Sequence, residues 1–131
     1  MFVKMIVEEN PENREEDIET VCEELIMVKD AIEKLDGSTK TAVILKRDEN
    51  NYMIIGSGLG NKYVVSATVN GKSYSMSSKF DVKKEDVELI VAGRKRVVSS
   101  NKYFTLEMVL QAAKHFADRG ALAQTFNWDK N

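Results

Sequence analysis

The sequence is short of the residues on which redox and metal chemistry most often depend. It contains one cysteine, Cys22, and one histidine, His115. A single cysteine cannot form an intrachain disulfide, and one cysteine with one histidine cannot supply a zinc site of the Cys/His type. The composition therefore predicts no metal site and no redox chemistry, and we expect no cofactor.

Long hydrophobic runs are also lacking. No stretch of about 18 apolar residues is available to span a bilayer. The N-terminal stretch Met1–Val7 turns acidic before it could form a signal-peptide core with a small-residue cleavage site. We therefore expect a cytoplasmic protein that makes no membrane contact. With 131 residues and 43% apolar content, the chain is expected to form a single domain over residues 1–131.

Groups of catalytic residues are missing too. Helical spacing places His115 on the polar side of its helix and Cys22 in the apolar stripe of another, so a nucleophile and base pair is not expected. The serines between Ser73 and Ser78 lack the spacing of a nucleophile elbow. The sequence predicts no catalytic residue, and hence a protein that is not an enzyme.

The stretch Ile54–Lys62, IIGSGLGNK, is the one candidate for a phosphate-binding loop. A dinucleotide fingerprint would need glycine in place of Asn61 and a helix directly after it, whereas a strand is predicted there. A P-loop would need four residues between its glycines and then Lys-Ser or Lys-Thr, but Lys62 precedes Tyr63. The glycines instead predict a connection between two strands in which the backbone approaches its neighbours closely.

Periodicity predicts an α+β fold with a mostly antiparallel sheet and two main helices packed on it. The first helix is predicted from Arg14 to Leu35, with a capping box at Asn13 and Glu16, and the second from a Thr105 cap to Gly120. A charged link is predicted at Phe80–Asp86. The predicted strands are Phe2–Val7, Thr41–Lys46, Tyr52–Ile55, Lys62–Val69, Lys72–Ser78, Val87–Ala92, Arg96–Ser99 and Gln124–Trp128.

The dipeptide Asn70-Gly71 is the clearest turn signal, because a two-residue type I′ hairpin favours it. This turn sets a register. The predicted pairs on the apolar side are Val69 with Lys72, Ala67 with Tyr74 and Val65 with Met76. The predicted pairs on the hydroxyl-rich side are Ser66 with Ser75 and Thr68 with Ser73.

Charge is divided unevenly along the chain. Residues 1–36 carry a formal charge of −8 and the remaining residues one of +6. Such segregation steers a charged partner toward one face. The densest acidic field belongs to the first predicted helix and its approach, so we identify five glutamates as candidate partner-binding residues. They are Glu12, Glu15, Glu16, Glu19 and Glu23.

A basic cluster, Arg94-Lys95-Arg96, supports an alternative function as a nucleic-acid-associated regulatory binding module. With Lys102 nearby the cluster offers four cations, which can neutralise few phosphates, and Tyr103 is its only aromatic neighbour. The residues by themselves therefore leave both functions open, partner binding by the glutamates and nucleic-acid association by the basic cluster.

The C-terminal residues resemble a known family. Phe104–Ala113 leads into FADRG at Phe116–Gly120, and FNWD follows at Phe126–Asp129. A helix that ends in an aromatic-x-x-x-Gly pattern, followed by a short strand with Trp and an acidic residue, resembles the ending of the first-numbered family of immunity proteins from bacterial polymorphic toxin systems. The stretch Gly56–Asn61 and the hairpin after it are similar to the family's middle, so the resemblance covers residues 41–129.

The resemblance implies a bacterial, non-enzymatic protein that binds and neutralises a cognate toxin C-terminal domain by stoichiometric occlusion, as in contact-dependent growth inhibition. A nuclease or other toxin that acts on nucleic acid would present a basic cleft to the five glutamates, and no direct contact with nucleic acid is expected. Related immunity proteins neutralise toxins of different chemistries, so the reaction of the toxin stays open, as does the oligomeric state. The sequence departs from the family's usual pattern at Asp129, where glutamate is commoner, and at Ala121-Leu122, where proline is common.

Overall fold

The computed structural model describes residues 1–13, 15–80 and 85–131. Arg14, in the predicted first helix, and residues 81–84, in the predicted charged link, lie outside the described residues. The helices are α1, Leu25–Glu33, and α2, Leu106–Arg119. The strands are β1 Met5–Glu8, β2 Ile18–Val21, β3 Ala42–Asp48, β4 Asn51–Ser57, β5 Tyr63–Val69, β6 Lys72–Ser77, β7 Val87–Val91, β8 Arg94–Val98 and β9 Asn127–Lys130.

One seven-stranded sheet, in the order β2-β1-β3-β4-β5-β6-β9, forms the centre of the fold. All neighbouring strands in this sheet are antiparallel, and β7 and β8 form a separate two-stranded hairpin. The prediction of an α+β fold with a mostly antiparallel sheet and two helices is confirmed. No helix among the residues described is long and apolar enough to cross a membrane.

The main core lies between one face of this sheet and the two helices. Strand residues of alternating position point into it, as the pleat requires. The sheet contributes Ile6, Val43, Leu45, Met53, Ile55, Val65, Ala67 and Met76. The helices contribute Val28, Ala31, Ile32, Val109, Ala112, Ala113, Phe116 and Ala117. The opposite side of the sheet, which we call the open face, carries neither of the two helices.

The β7–β8 hairpin covers one end of the open face. Leu89 and Val98 pack there against Val64 in a second, smaller apolar cluster. At the tip of the hairpin, the Gly93 N–H donates to Thr41 Oγ1 at 2.9 Å. The hairpin therefore covers this end of the open face. Elsewhere the face is mixed, since Val7, Thr68 and Ser77 are buried whereas Ile44, Tyr52 and Ser66 are half-buried.

The predicted β5–β6 hairpin is confirmed in its turn and its register. Asn70 has φ 51° and Gly71 has φ 79°, both in the left-handed region that a type I′ turn requires. The observed pairs are Val69 with Lys72, Ala67 with Tyr74, Thr68 with Ser73, and Ser66 with Ser75. The predicted pair of Val65 with Met76 falls beyond the last pair of this ladder. On the hydroxyl-rich side, Thr68 Oγ1 and Ser73 Oγ are hydrogen-bonded at 3.2 Å.

The predicted helix from Arg14 to Leu35 is wrong in its first half. Residues Ile18–Val21 form β2, an edge strand paired with β1, and α1 begins only at Leu25. Three of the four residues in β2 are β-branched, which favours a strand. A helical stripe would have buried Ile18 and Val21, but they are 43% and 61% exposed.

Asparagine side chains hold the segment before β2 in turns instead of a helix. Asn10 Oδ1 accepts from the N–H of Glu12 at 3.1 Å, and Asn13 Oδ1 accepts from the N–H of Glu15 at 3.2 Å. Such bonds to an N–H two residues further on compete with helix formation. The predicted capping box at Asn13 and Glu16 therefore does not begin a helix.

Candidate partner-binding surface

The Gly-rich connection between β4 and β5 is a structural loop. Gly58 has φ 100°, and a Cβ at this position would lie 2.7 Å from the carbonyl oxygen of Leu35, so that only glycine fits. Asn61 Oδ1 accepts from the N–H of Leu106 at 2.9 Å and thereby caps α2. Thr105 occupies the predicted N-cap position with an extended backbone, but its side chain makes no capping hydrogen bond to the helix. The loop packs the fold and leads into strand β5, as the sequence predicted for a connection between strands.

Cys22 and His115, the single cysteine and the single histidine, lie on different parts of the fold. Cys22 follows β2 rather than lying on a helix, is 7% exposed, and has a pKa raised by burial, so its thiol is a poor nucleophile. His115 is half-buried on α2. Within residues 1–13, 15–80 and 85–131, no three His, Cys, Asp or Glu side chains are grouped to hold a metal ion.

The five candidate glutamates lie at one edge of the sheet rather than on a helix. Glu12, Glu15 and Glu16 belong to the turns before β2, Glu19 lies within β2, and Glu23 follows it. All five are exposed, and none of their carboxylates forms an ion pair or hydrogen bond with a described residue. We call these five residues the acidic edge.

The neighbouring glutamates Glu8 and Glu9, in contrast, have carboxylates that contact other residues of the fold. The Glu8 carboxylate lies 3.3 Å from Lys40 Nζ and 3.7 Å from Lys34 Nζ. The Glu9 carboxylate accepts from both the N–H and the hydroxyl of Thr41. No contact of this kind with a described residue holds the carboxylates of the acidic edge, although the charge of Glu19 contributes to the raised pKa of Lys46.

A hollow on the open face adjoins the acidic edge. Lys46 Nζ lies 2.7 Å from Glu49 Oε1 at its rim. The pKa of Lys46 is raised mainly by this bond and to a lesser degree by the charge of Glu19. The hollow has a volume of about 380 Å³ and is lined by Val7, Asp17, Glu19, Ile44, Lys46, Glu49, Tyr52 and Ile54. A partner bound at the acidic edge would therefore find apolar surface next to the negative charge.

The basic cluster lies at the start of β8, directly after the hairpin tip at Ala92 and Gly93. Arg94, Lys95 and Arg96 are all exposed. Because neighbouring residues of a strand point to opposite faces, Arg94 and Arg96 share one face and Lys95 lies on the other. Lys102 Nζ is 2.6 Å from Asp129 Oδ2 and is thus already paired. The cluster presents fewer aligned cations than its sequence count indicated.

Two exposed apolar residues beside the acidic edge, Ile18 and Val21, were not predicted as surface residues, because their spacing fits the buried stripe of a helix. Two signals could have identified them. One is the run of β-branched residues at positions 18, 20 and 21, and the other is the pair of turn-forming asparagines upstream.

A scan against models of known protein families finds no match to this chain, and a search of curated proteins finds none either.

Proposed function

We propose that this chain is an immunity protein that binds and neutralises one cognate toxin domain in the bacterial cytoplasm. The observation that carries the proposal is the acidic edge, five exposed carboxylates without an ion pair among the described residues. A toxin that acts on nucleic acid or a nucleotide needs a basic cleft, and the acidic edge is complementary to one. The resemblance of residues 41–129 to immunity proteins of polymorphic toxin systems points the same way.

Neutralisation would work by occlusion. Exposed complementary charges mainly accelerate association, whereas buried contacts govern dissociation. The acidic edge would steer the chain onto the toxin, and the apolar residues next to it would be covered in the complex. One bound copy per toxin domain would suffice, so inhibition should follow a one-to-one titration.

The function is tested by capture followed by rescue of growth. The tagged chain is recovered from its source cell, the bound protein is identified by mass spectrometry, and the C-terminal domain of that protein is expressed in a test bacterium. Expression of this domain alone should stop growth, and co-expression of the chain should restore it. A captured domain that is harmless, or whose toxicity the chain does not relieve, would overturn the proposal.

The acidic edge is tested by charge reversal. The triple variant Glu12→Lys, Glu16→Lys, Glu19→Lys should bind the toxin domain with an association rate roughly ten-fold or more lower at low salt. A matched control, Glu33→Lys, Glu88→Lys, Asp118→Lys, changes the net charge equally at exposed positions elsewhere. The control should change the rate less, and circular dichroism should be the same for both. Equal rates in wild type and the first variant would remove the acidic edge from the interface.

The alternative, a nucleic-acid-associated module, predicts a different result. The chain would be retained on a nucleic-acid column at low salt and released as salt rises, and replacing Arg94 and Arg96 with alanine would abolish retention. We favour the immunity function because only two of the cluster's cations share a face of β8.

A further inference from the structure

Strand β2 is an edge of the sheet with one side unpaired. Among the described residues it pairs with β1 alone, and no described strand lies on its outer side. The Cys22 N–H donates to the carbonyl oxygen of Lys4 at 2.9 Å, directly beyond the end of the β1–β2 ladder. In an antiparallel pair, every second residue exchanges its backbone bonds with the partner strand. Counting back from Cys22, Thr20 and Ile18 are therefore the residues whose backbone groups face β1.

The remaining residues of the strand, Glu19 and Val21, direct their N–H and C=O groups away from the sheet. Unpaired backbone groups in a row are a template for another strand. Ile18 and Val21 are 43% and 61% exposed, so the edge also offers apolar side chains to an added strand. An edge of this kind can associate with another chain unless something opposes it.

Charge determines which strand can pair there. Residues 12–24 contain seven acidic side chains and one basic one. A second copy of this chain would bring the same negative charge to the edge, and like charges opposite each other in a sheet are destabilising. A strand that carries Lys or Arg opposite Glu19 would instead be stabilised.

We propose that the free edge of β2 receives a basic strand of the toxin domain, which extends the seven-stranded sheet of the chain by an eighth strand. Main-chain hydrogen bonds to Glu19 and Val21 supply affinity, and the side chains of Ile18, Glu19 and Val21 along β2 supply specificity. This inference rests on the proposed function, and it identifies how the toxin is held.

The substitution Val21→Pro tests the edge, because it removes an outward N–H. Proline is tolerated in an edge strand when its N–H side faces solvent, so the β1–β2 pairing should survive. Loss of one interface hydrogen bond, with the ring obstructing an added strand, should weaken binding of the captured toxin domain by about ten-fold or more. Val21→Thr is the matched comparison, because it keeps the N–H and the β-branched shape and loses only apolar contact, so it should weaken binding less than Val21→Pro does.

Amide hydrogen exchange by NMR reports on the edge directly. In the free chain, the amides of Glu19 and Val21 should exchange rapidly, while that of Thr20 is protected by β1. In the complex, Glu19 and Val21 should become protected by on the order of a hundredfold. Protection of these two amides in the free chain, together with a dimeric mass in solution, would show that a second copy occupies the edge and would overturn the inference.

Failure of this inference can be told apart from failure of the proposed function. If the captured domain is toxic and is neutralised equally well by wild type and Val21→Pro, with Glu19 and Val21 unprotected in the complex, the immunity function stands and the added strand is refuted. If wild type neutralises no captured domain, the proposed function fails, and this inference fails with it.

Discussion

The two outer strands of the seven-stranded sheet are held in place by different means. At β9, Lys102 Nζ lies 2.6 Å from Asp129 Oδ2, and Trp128 Nε1 donates to the carbonyl oxygen of Ala123 at 2.9 Å. Trp128 is half-buried and packs against the main core. This edge is therefore fixed by a salt bridge, a hydrogen bond and apolar packing in addition to its pairing with β6.

At the other edge, β2 is held mainly by its backbone hydrogen bonds to β1. None of its four side chains forms a hydrogen bond or ion pair with any residue of the described ranges, and all four are exposed. The difference separates the side chains that stabilise the fold from those that do not. Most of the acidic edge belongs to the second group, whereas Glu19 also acts on Lys46 and raises its pKa.

The largest expected effect is at β9. Trp128→Ala should lower the free energy of unfolding by about 3 kcal/mol, the low end of the range for aromatic truncation, because the ring is only half-buried. Trp128→Phe is the control: it keeps most of the apolar contact and removes the bond to Ala123, at a cost of about 1 kcal/mol. Trp128 is the only tryptophan, so urea unfolding should be followed by circular dichroism. A loss below 1 kcal/mol for the alanine variant would mean that β9 is held by its ladder alone.

A smaller, pH-dependent effect is expected at the same edge. The pKa of Asp129 is lowered by its hydrogen bond to Lys102 and further by one to Ser77. Its stabilising contribution is therefore complete above the unfolded pKa of about 3.9 and is lost as pH falls through the lower folded pKa. Thermal unfolding of wild type and Asp129→Asn should differ at pH 7, with wild type more stable, and converge as pH falls below about 4.

The pH comparison needs both proteins, because another carboxylate titrates in the same region. Hydrogen bonds from Thr39 and from the backbone of Lys40 and Ser38 hold the pKa of Asp36 far below its usual value. Both proteins lose this contribution equally on acidification. A difference between wild type and Asp129→Asn that stays constant from pH 7 to pH 3 would show that the charge of Asp129 does not contribute.

Local signals in the sequence predicted much of the sheet and one helix. The turn at Asn70-Gly71 fixes φ and register within a few residues, and α2 has a strong apolar stripe and ends at Gly120, as predicted, with φ 71°. The last strand was predicted at Gln124–Trp128 and is observed a few residues later, at Asn127–Lys130. In these places the information that determines the structure lies in adjacent residues.

The segment before α1 could not be predicted in the same way. Ile18, Val21, Cys22 and Leu25 satisfy helical spacing, and only pairing with β1, ten or more residues away, selects the strand. The negative charge of the acidic edge could be predicted directly from the acidic residues in the sequence. Its geometry, an edge with outward backbone groups, depends on the tertiary pairing and on the hydrogen bonds of two asparagines, which periodicity does not include.

The smallest expected effect is on stability at β2. Val21→Thr should change the free energy of unfolding by less than about 0.5 kcal/mol, because the side chain is 61% exposed and a β-branched residue is kept. The same substitution at Val43, which is 2% exposed on β3, should cost about 1 to 3 kcal/mol, since the hydroxyl would be buried. Urea unfolding of the two variants compares the edge and the core with the same Val→Thr substitution.

A cost at Val21 equal to that at Val43 would mean that β2 is packed against other residues in solution, and the edge would then be closed to a partner strand. A negligible cost at Val21, combined with the loss of toxin binding in Val21→Pro, would separate the role of this edge in binding from any role in folding.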